Sequence, residues 1–261
     1  MTYDNPKVAL VTGATSGIGL AVAELLARKG NQVYLCARGK DRVAEQVESL
    51  RAAGLDVRGS ACDVTSRDEV VELVARAREA LGPIGVLVNN VGRNGGGVTA
   101  EIPDELWYDV IETNLSSVFR VTREVLAHGG MTDLPSGRIV NIASTAGKQG
   151  VMLAAPYCAS KHGVIGFTKA LGFELAKTGI TVNAVCPGYV ETPMAERVRQ
   201  GYAAHWQTTE EDVLHRFEAK IPLGRYGTAQ EVAGMVGYLV SDQAASVTAQ
   251  AINVCGGLGN Y

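Results

Sequence analysis

Ser144, Tyr157 and Lys161 are the residues of this chain best suited to handle a proton. Tyr157 and Lys161 stand at i and i+4 in Tyr157-Cys-Ala-Ser-Lys161, so on a helix they share one face. A free phenol titrates near 10, which leaves little of its base form at neutral pH. A lysine cation alongside stabilises phenolate and is expected to lower that value. A fall of about three units requires roughly 4 kcal/mol of differential stabilisation, which is reached only in a partly desolvated site. Ser144 could then donate to the carbonyl oxygen of a substrate. A Tyr-x-x-x-Lys pair is common on amphipathic helices, so its meaning depends on what surrounds it.

Upstream lies a glycine cluster, Thr12-Gly13-Ala14-Thr15-Ser16-Gly17-Ile18-Gly19, placed between an apolar run and a helical stretch. Glycine there lets the chain turn sharply and bring backbone N–H groups against a pyrophosphate, with the helix N-terminus adding partial positive charge. The spacing Gly-x3-Gly-x-Gly differs from the usual Gly-x-Gly-x-x-Gly, and a turn that binds nothing is the plain alternative. About 20 residues on, where an acidic side chain would hold the ribose diol of NAD, stands Arg38. A guanidinium suits a 2′-phosphate, so the sequence predicts NADP(H) over NAD(H), against an ordinary surface arginine. Asp63-Val64 is placed to contact adenine, or else Asp63 caps its loop. Asn89-Asn90-Val91-Gly92 is placed beside the cofactor, or else forms a common turn.

The elements that must position these groups alternate. Apolar runs at Lys7–Thr12, Gln32–Cys36, Asp56–Ala61, Val86–Asn89, Arg138–Ala143 and Thr181–Val185 read as strands. Helical patterning covers Gly17–Lys29, Lys40–Ala53, Ser66–Leu81, Pro103–Ala127 with a break or bend, and Pro156–Lys177. Ser66 is expected to cap its helix, with Glu69 completing a capping box. This βαβα rhythm predicts an α/β fold, a Rossmann-type doubly wound parallel sheet in a single domain spanning 1–261. Between Pro187 and Pro222 the rhythm fails, and Glu191–Lys220 is helical and aromatic. An insertion of about 190–220 after a strand's carboxyl end reads as a lid, with a peripheral helical pair as the alternative.

Composition narrows the partners. Thirty-one glycines in 261 residues exceed the roughly 18 expected at ~7%. With 46% hydrophobic and 20% charged residues, the excess marks tight turns and close approaches, not collagen or a flexible linker. A net charge of −3 argues against nucleic acid. No apolar run is long enough to span a bilayer, and Met1–Pro6 lacks the pattern of a signal peptide. Cys36, Cys62, Cys158, Cys186 and Cys255 are dispersed and odd in number, which predicts free thiols in a reducing cytoplasm.

Thr12–Gly19, Asn89–Gly92, Asn114, Ser144, Tyr157–Lys161 and Pro187-Gly188 together resemble the short-chain dehydrogenases/reductases over almost the whole chain. The commoner Asn-Asn-Ala is Asn89-Asn90-Val91 here. The resemblance implies that Tyr157 donates the proton, Ser144 polarises the carbonyl, and Lys161 holds the nicotinamide ribose and tunes Tyr157. It implies that Asn114 orders a water leading to Lys161, and that Pro187, Gly188, Val190 and Thr192 join the cofactor site, with no metal. Asn141–Gly150, Ala155-Pro-Tyr157, Thr181–Gly188 and Asn253–Tyr261 resemble more narrowly the ketoreductases of bacterial aromatic polyketide synthases. These imply reduction with NADPH of one ketone of a poly-β-keto chain on an acyl carrier protein, by a homotetramer.

Within that frame Arg93, Asn94, Gly95 and Gly96 form the site mouth with Gln149, and Tyr189, Met194, Tyr202 and Trp206 of the lid are candidate substrate contacts. Packing of the lid onto its own core is the alternative for those last four. Arg93 is set either to meet the carrier's phosphopantetheine phosphate or to remain a mobile surface group. Asn94 stands where the member most resembled has proline, which fixes φ, so the position bears on loop shape and on the hand of the product. The rival readings are a 3-oxoacyl-[acyl-carrier-protein] reductase of fatty-acid synthesis and a non-catalytic NADP-binding regulatory protein.

Overall fold

The computed structural model describes residues 7–259, so the opening Met1–Pro6 and the final Asn260-Tyr261 of the carboxyl-terminal motif lie outside the described residues. Seven parallel strands form one sheet in the order β3-β2-β1-β4-β5-β6-β7. The strands are β1 (Val8–Thr12), β2 (Gln32–Ala37), β3 (Val57–Ala61), β4 (Ile84–Asn89), β5 (Gly137–Ile142), β6 (Ile180–Pro187) and β7 (Ala251–Val254). Chain order runs outward from β1 to β3 and then returns to place β4 on the other side of β1. That reversal opens a crevice at the carboxyl ends of β1 and β4, where parallel α/β sheets bind ligands.

Helices cover both faces. On one, α1 (Gly17–Arg28), α2 (Lys40–Ala52) and α9 (Ala229–Leu239) pack Leu26, Val43, Val236 and Leu239 against Val11, Leu35 and Val88. On the other, α3 (Arg67–Leu81), α5 (Ser117–His128) and α6 (Ala155–Glu174) pack Leu73, Val125 and Leu171 against Leu10, Leu87 and Ile139. Neighbours Leu10 and Val11 thus serve opposite cores, as strand alternation requires. All of β1, β4, β5 and β6 is buried, which explains their mostly apolar composition.

Several expectations need adjustment. The stretch 103–127 is α4 (Asp104–Ile111), a π turn at Glu112–Ser116, and α5, so the break is one wide turn and not an interruption. Ser66 caps α3 by accepting the Glu69 N–H at 3.4 Å, but no capping box closes. The Glu69 carboxylate reaches past Ser66 to the Asp63 N–H, at 2.8 Å. Helix α9 and strand β7 were not foreseen. The former starts on a full capping box of Thr228 and Glu231, and the latter is a short edge strand paired with β6. No helix among the described residues is long and apolar enough to cross a membrane.

Between β6 and α9 lie α7 (Pro193–Trp206) and α8 (Glu210–Glu218). Their two ends meet at a bridge between Val190 and Gly227. There the Glu191 N–H donates to the Gly227 carbonyl at 3.0 Å and the Gly227 N–H to Tyr189 at 2.9 Å. Arg199 braces this base through two 2.9 Å bonds to Glu191.

Candidate active site

The turn after β1 is shaped by its glycines. Gly13 and Gly17 hold φ of +64° and +54°, which other residues rarely adopt. A Cβ on Gly19 would collide with the Gly13 carbonyl and the Asn90 amide, so only glycine lets helix α1 start this close. Asn90 is a brace: its Nδ2 donates to the carbonyls of Thr12 at 3.1 Å and Gly13 at 3.0 Å. The Thr12 hydroxyl accepts the Asn90 N–H at 3.0 Å. Ser16 makes no side-chain cap, and the first turn of α1 holds no acidic residue, so its N–H groups face outward with nothing to repel an anion. Thr15 and Ile18 are half-buried in the same turn.

Other predicted residues gather around it. Thr192 packs against Gly17, since a Cβ there would lie 3.2 Å from its Cγ2, while its hydroxyl caps α7. Pro187 ends β6, and the Gly188 N–H donates to Val254 at 3.0 Å. Val190 is buried at the lid base. Arg38 is exposed just past β2. Asp63 accepts both the N–H and the hydroxyl of Thr65, at 3.0 and 2.7 Å, so it does cap its loop. Burial would raise the Asp63 carboxyl, but the Thr65 bonds and the charges of Arg38 and Arg120 outweigh it and hold it low. Val64 is buried, and its carbonyl accepts from Arg120 at 3.0 Å.

Ser144, two residues past β5, and Tyr157 and Lys161, in the first turns of α6, converge at the same edge of the sheet. Ser144 hydrogen-bonds the phenol, and Lys161 Nζ lies 5.8 Å from the Tyr157 ring centre. Lys161 is buried and donates to the Ile142 carbonyl at 2.9 Å. The expected lowering of the phenol is reversed. Burial raises Tyr157 above its ordinary value and the Ser144 bond offsets only part of that. The ammonium is held on the Ile142 carbonyl, and burial brings Lys161 down to about 8. The phenol is therefore protonated at neutral pH, the form that can give a proton away.

Asn114 sits within the π turn, fully buried. Its Oδ1 accepts the Arg93 N–H at 2.8 Å, while Nδ2 donates to the Arg93 carbonyl at 3.0 Å and to Ser160 at 3.1 Å. A Cβ on Gly92 would lie 3.4 Å from Lys161 Nζ and 3.5 Å from Asn114 Oδ1, so both polar atoms border one small space.

At the mouth, Arg93 is ion-paired with Asp109 and its Nε donates to the Asn94 carbonyl at 3.1 Å. Gly95 packs so tightly on Val110 that a Cβ would collide, and Gly96 does the same on the Leu153 carbonyl. Gln149 is half-buried, its N–H on the Thr145 carbonyl at 3.2 Å. The lid aromatics pack on one another. Tyr189 stacks on Phe217 at 4.6 Å, Tyr202 meets Trp206 at 4.9 Å, and Trp206 meets Phe217 edge-on at 6.0 Å. Met194, at the start of α7, stays outside this cluster and half-buried.

A polar network under the site went unnoticed in the sequence. Asn89 donates to Thr122 at 2.9 Å and to Asn141 at 2.8 Å, and Asn141 donates to Thr168 at 2.9 Å. It ties β4, β5, α5 and α6 together in the interior. The only signal was one asparagine in each of two buried strands, Asn89 at the end of β4 and Asn141 within β5, where buried amides must find partners.

A family model described as short chain dehydrogenase matches residues 7–203. The chain is 65% identical to a monensin polyketide synthase putative ketoacyl reductase of Streptomyces virginiae, over all of both chains. It is 38% identical to the 3-oxoacyl-[acyl-carrier-protein] reductase of Escherichia coli strain K12, over 97% of each. A crystal structure of a point variant of actinorhodin polyketide ketoreductase with NADPH is similar at a TM-score of 0.96 and 60% identity, covering 100% of both. On the match over more than half its length and on these relatives, the chain belongs to the short-chain dehydrogenase family.

Proposed function

We propose that this protein is an NADPH-dependent ketoreductase that reduces one ketone of a poly-β-keto chain carried on an acyl carrier protein, in aromatic polyketide biosynthesis. The observation that carries this reading is the convergence of Ser144, protonated Tyr157 and cationic Lys161 beside the glycine turn. The 65% identity to a polyketide synthase ketoacyl reductase, against 38% to a 3-oxoacyl-[acyl-carrier-protein] reductase, favours the polyketide substrate.

The residues present fit the dinucleotide. The turn closed at Gly19 and the open first turn of α1 would hold the pyrophosphate, with Thr12, Gly13, Thr15, Ser16, Gly17 and Ile18 around it. Arg38 would hold the 2′-phosphate, Asp63 and Val64 would border the adenine, and Asn90, Gly92, Pro187, Gly188, Val190 and Thr192 would flank the nicotinamide half. When bound, NADPH supplies the hydride for the carbonyl carbon. The Ser144 hydroxyl holds the carbonyl oxygen, and Tyr157 Oη gives that oxygen a proton. Lys161 steadies the phenolate left behind, and a water between its Nζ and Asn114 Oδ1 returns the proton.

The chain would act as one domain, residues 190–220 forming a lid over the ketone. Met194 at the lid's edge and Asn94, Gly95, Gly96 and Gln149 at the mouth would meet the substrate. Arg93 would meet the carrier's phosphate only after leaving Asp109. The apolar groove between α5 and α6, with Phe119 and Phe173 exposed beside it, suits association of copies into a homotetramer. Free cysteines agree with a cytoplasmic setting.

Incubation with a minimal polyketide synthase and NADPH, with product identification in the presence and absence of the protein, tests the reading. One secondary alcohol at a single ketone is expected. Unchanged products together with rapid reduction of an acetoacetyl thioester would point to fatty-acid synthesis. No NADPH oxidation on either substrate would point to a non-catalytic protein.

A further inference from the structure

The lid touches the rest of the mouth through a short segment, 150–154, that the proposed mechanism does not use. From α7, Tyr202 Oη donates to the Met152 carbonyl at 2.5 Å. The next carbonyl, that of Leu153, accepts the Gly97 N–H at 2.9 Å. Two consecutive carbonyls are thus taken by the lid and by the glycine loop. Between them, Leu153 holds φ at +60°, a conformation that a residue with a Cβ keeps only when its surroundings impose it. The seat is close enough that a Cβ on Gly96 would collide with the Leu153 carbonyl.

The Tyr202 ring is fixed independently. It packs against Trp206 and lies edge-on to Phe217 at 5.1 Å, so the direction of its hydroxyl is set before the bond forms. Burial also raises its phenol above the ordinary value, which keeps the donor protonated.

We propose that Tyr202 is a positioning residue, acting through Met152 and Leu153 to hold the Gly96–Gly97 wall of the mouth, and not by touching the substrate. The proposal rests on the ketoreductase reading above and assigns this tyrosine a different part in it. Lid closure and loop shape become one event. With α7 in place, Met152 is latched, Leu153 stays left-handed, and Gly97 has its acceptor. With α7 displaced, all three are released together. A bulky ring system needs both walls set, whereas a small ketone does not.

The test is Tyr202→Phe, which keeps the ring and removes the hydroxyl. Hydrogen–deuterium exchange of peptides covering 94–98 is followed in the cofactor-free protein, with β1 and β4 peptides reporting that the fold is intact. Loss of one hydrogen bond should speed exchange in 94–98 by about tenfold. In steady-state assays with decalone, a saturated bicyclic ketone, KM should rise by a similar factor with kcat kept, while KM for an acetoacetyl thioester stays unchanged. Unchanged exchange in 94–98 would overturn the proposal, and a raised decalone KM with that result would make Tyr202 a direct contact. Faster exchange with unchanged kinetics would also overturn it. The exchange measurement does not depend on activity, so failure of the ketoreductase reading would be seen separately, as absent turnover in the unsubstituted protein.

Discussion

The carboxamide of Asn114 pairs with the backbone of Arg93 in both directions, accepting its N–H at 2.8 Å and donating to its carbonyl at 3.0 Å. A side chain here does what a neighbouring strand would do for a backbone. It pins the start of the mouth loop to the π turn of the α4–α5 helix. Asn114→Asp keeps the acceptor but sets an oxygen against the Arg93 carbonyl and Ser160, all in a buried place. Such a mismatch should cost about 1–3 kcal/mol, read as a fall in the urea midpoint. An unchanged midpoint would mean that the pairing is idle.

Removing the Tyr157 hydroxyl should stop proton delivery without disturbing the cofactor turn, which is built from other residues. Tyr157→Phe is expected to lower kcat by about 10²–10⁴-fold while NADPH binding, followed by fluorescence titration, stays the same. If most of the turnover survives with NADPH still bound, the proton comes from another group.

In the proposed reading Arg38 would tell the two nicotinamide cofactors apart. Its charge already helps to hold the Asp63 carboxyl low. Arg38→Asp should lose a charge-assisted contact of about 1.5–3 kcal/mol, raising KM for NADPH by roughly 10–100-fold and favouring NADH. Equal KM values for the two cofactors in both proteins would remove Arg38 from this role.

Lys161 also links pH to stability. Burial takes it from 10.5 to about 8 in the folded chain. Between those values the unfolded chain holds a proton that the fold has released, so this group's contribution to stability rises with pH. Below 8 both states are charged and the fold bears a desolvation cost of about 3 kcal/mol. Lys161→Met should therefore stabilise the cofactor-free protein at pH 7, and its advantage in Tm should shrink as pH climbs from 8 to 9.5. Tyr157 is raised and Cys186 is pushed up to about 11, so neither releases a proton first. A constant gap between the two melting temperatures would contradict the value near 8.

Much of the architecture could be read from residues because β1, β4, β5 and β6 are buried on both faces and appear as mostly apolar runs. Strand β7 has no such run. Its four residues are half-buried, and it exists because β6 offers an unpaired edge. Helix α9 carries a signal in Thr228 and Glu231, three apart before Val232, Val236 and Leu239. The residues of the candidate site were visible as types and spacings, but their charge states were not. The phenol is raised and the lysine lowered by desolvation, which depends on what covers them. Partners far apart in the chain were equally hidden. Arg138 looked like the polar start of a strand, yet it is 3% exposed, its guanidinium 3.6 Å from Asp242. The aromatic residues of the lid suited a pocket as well as a small core, and the structure packs Tyr189, Tyr202 and Trp206 in one cluster with Phe217.

The bridge between Val190 and Gly227 makes the segment between them a cassette whose two ends meet beyond the strands of the sheet. Changes of length or shape inside it need not be transmitted to β6 or α9. Ser144, just past β5, and Tyr157 and Lys161, on α6, meanwhile lie outside the cassette. Under the proposed reading, reactivity and substrate choice would then be separable, and exchanging the segment between relatives would alter which ketone is accepted while keeping how it is reduced.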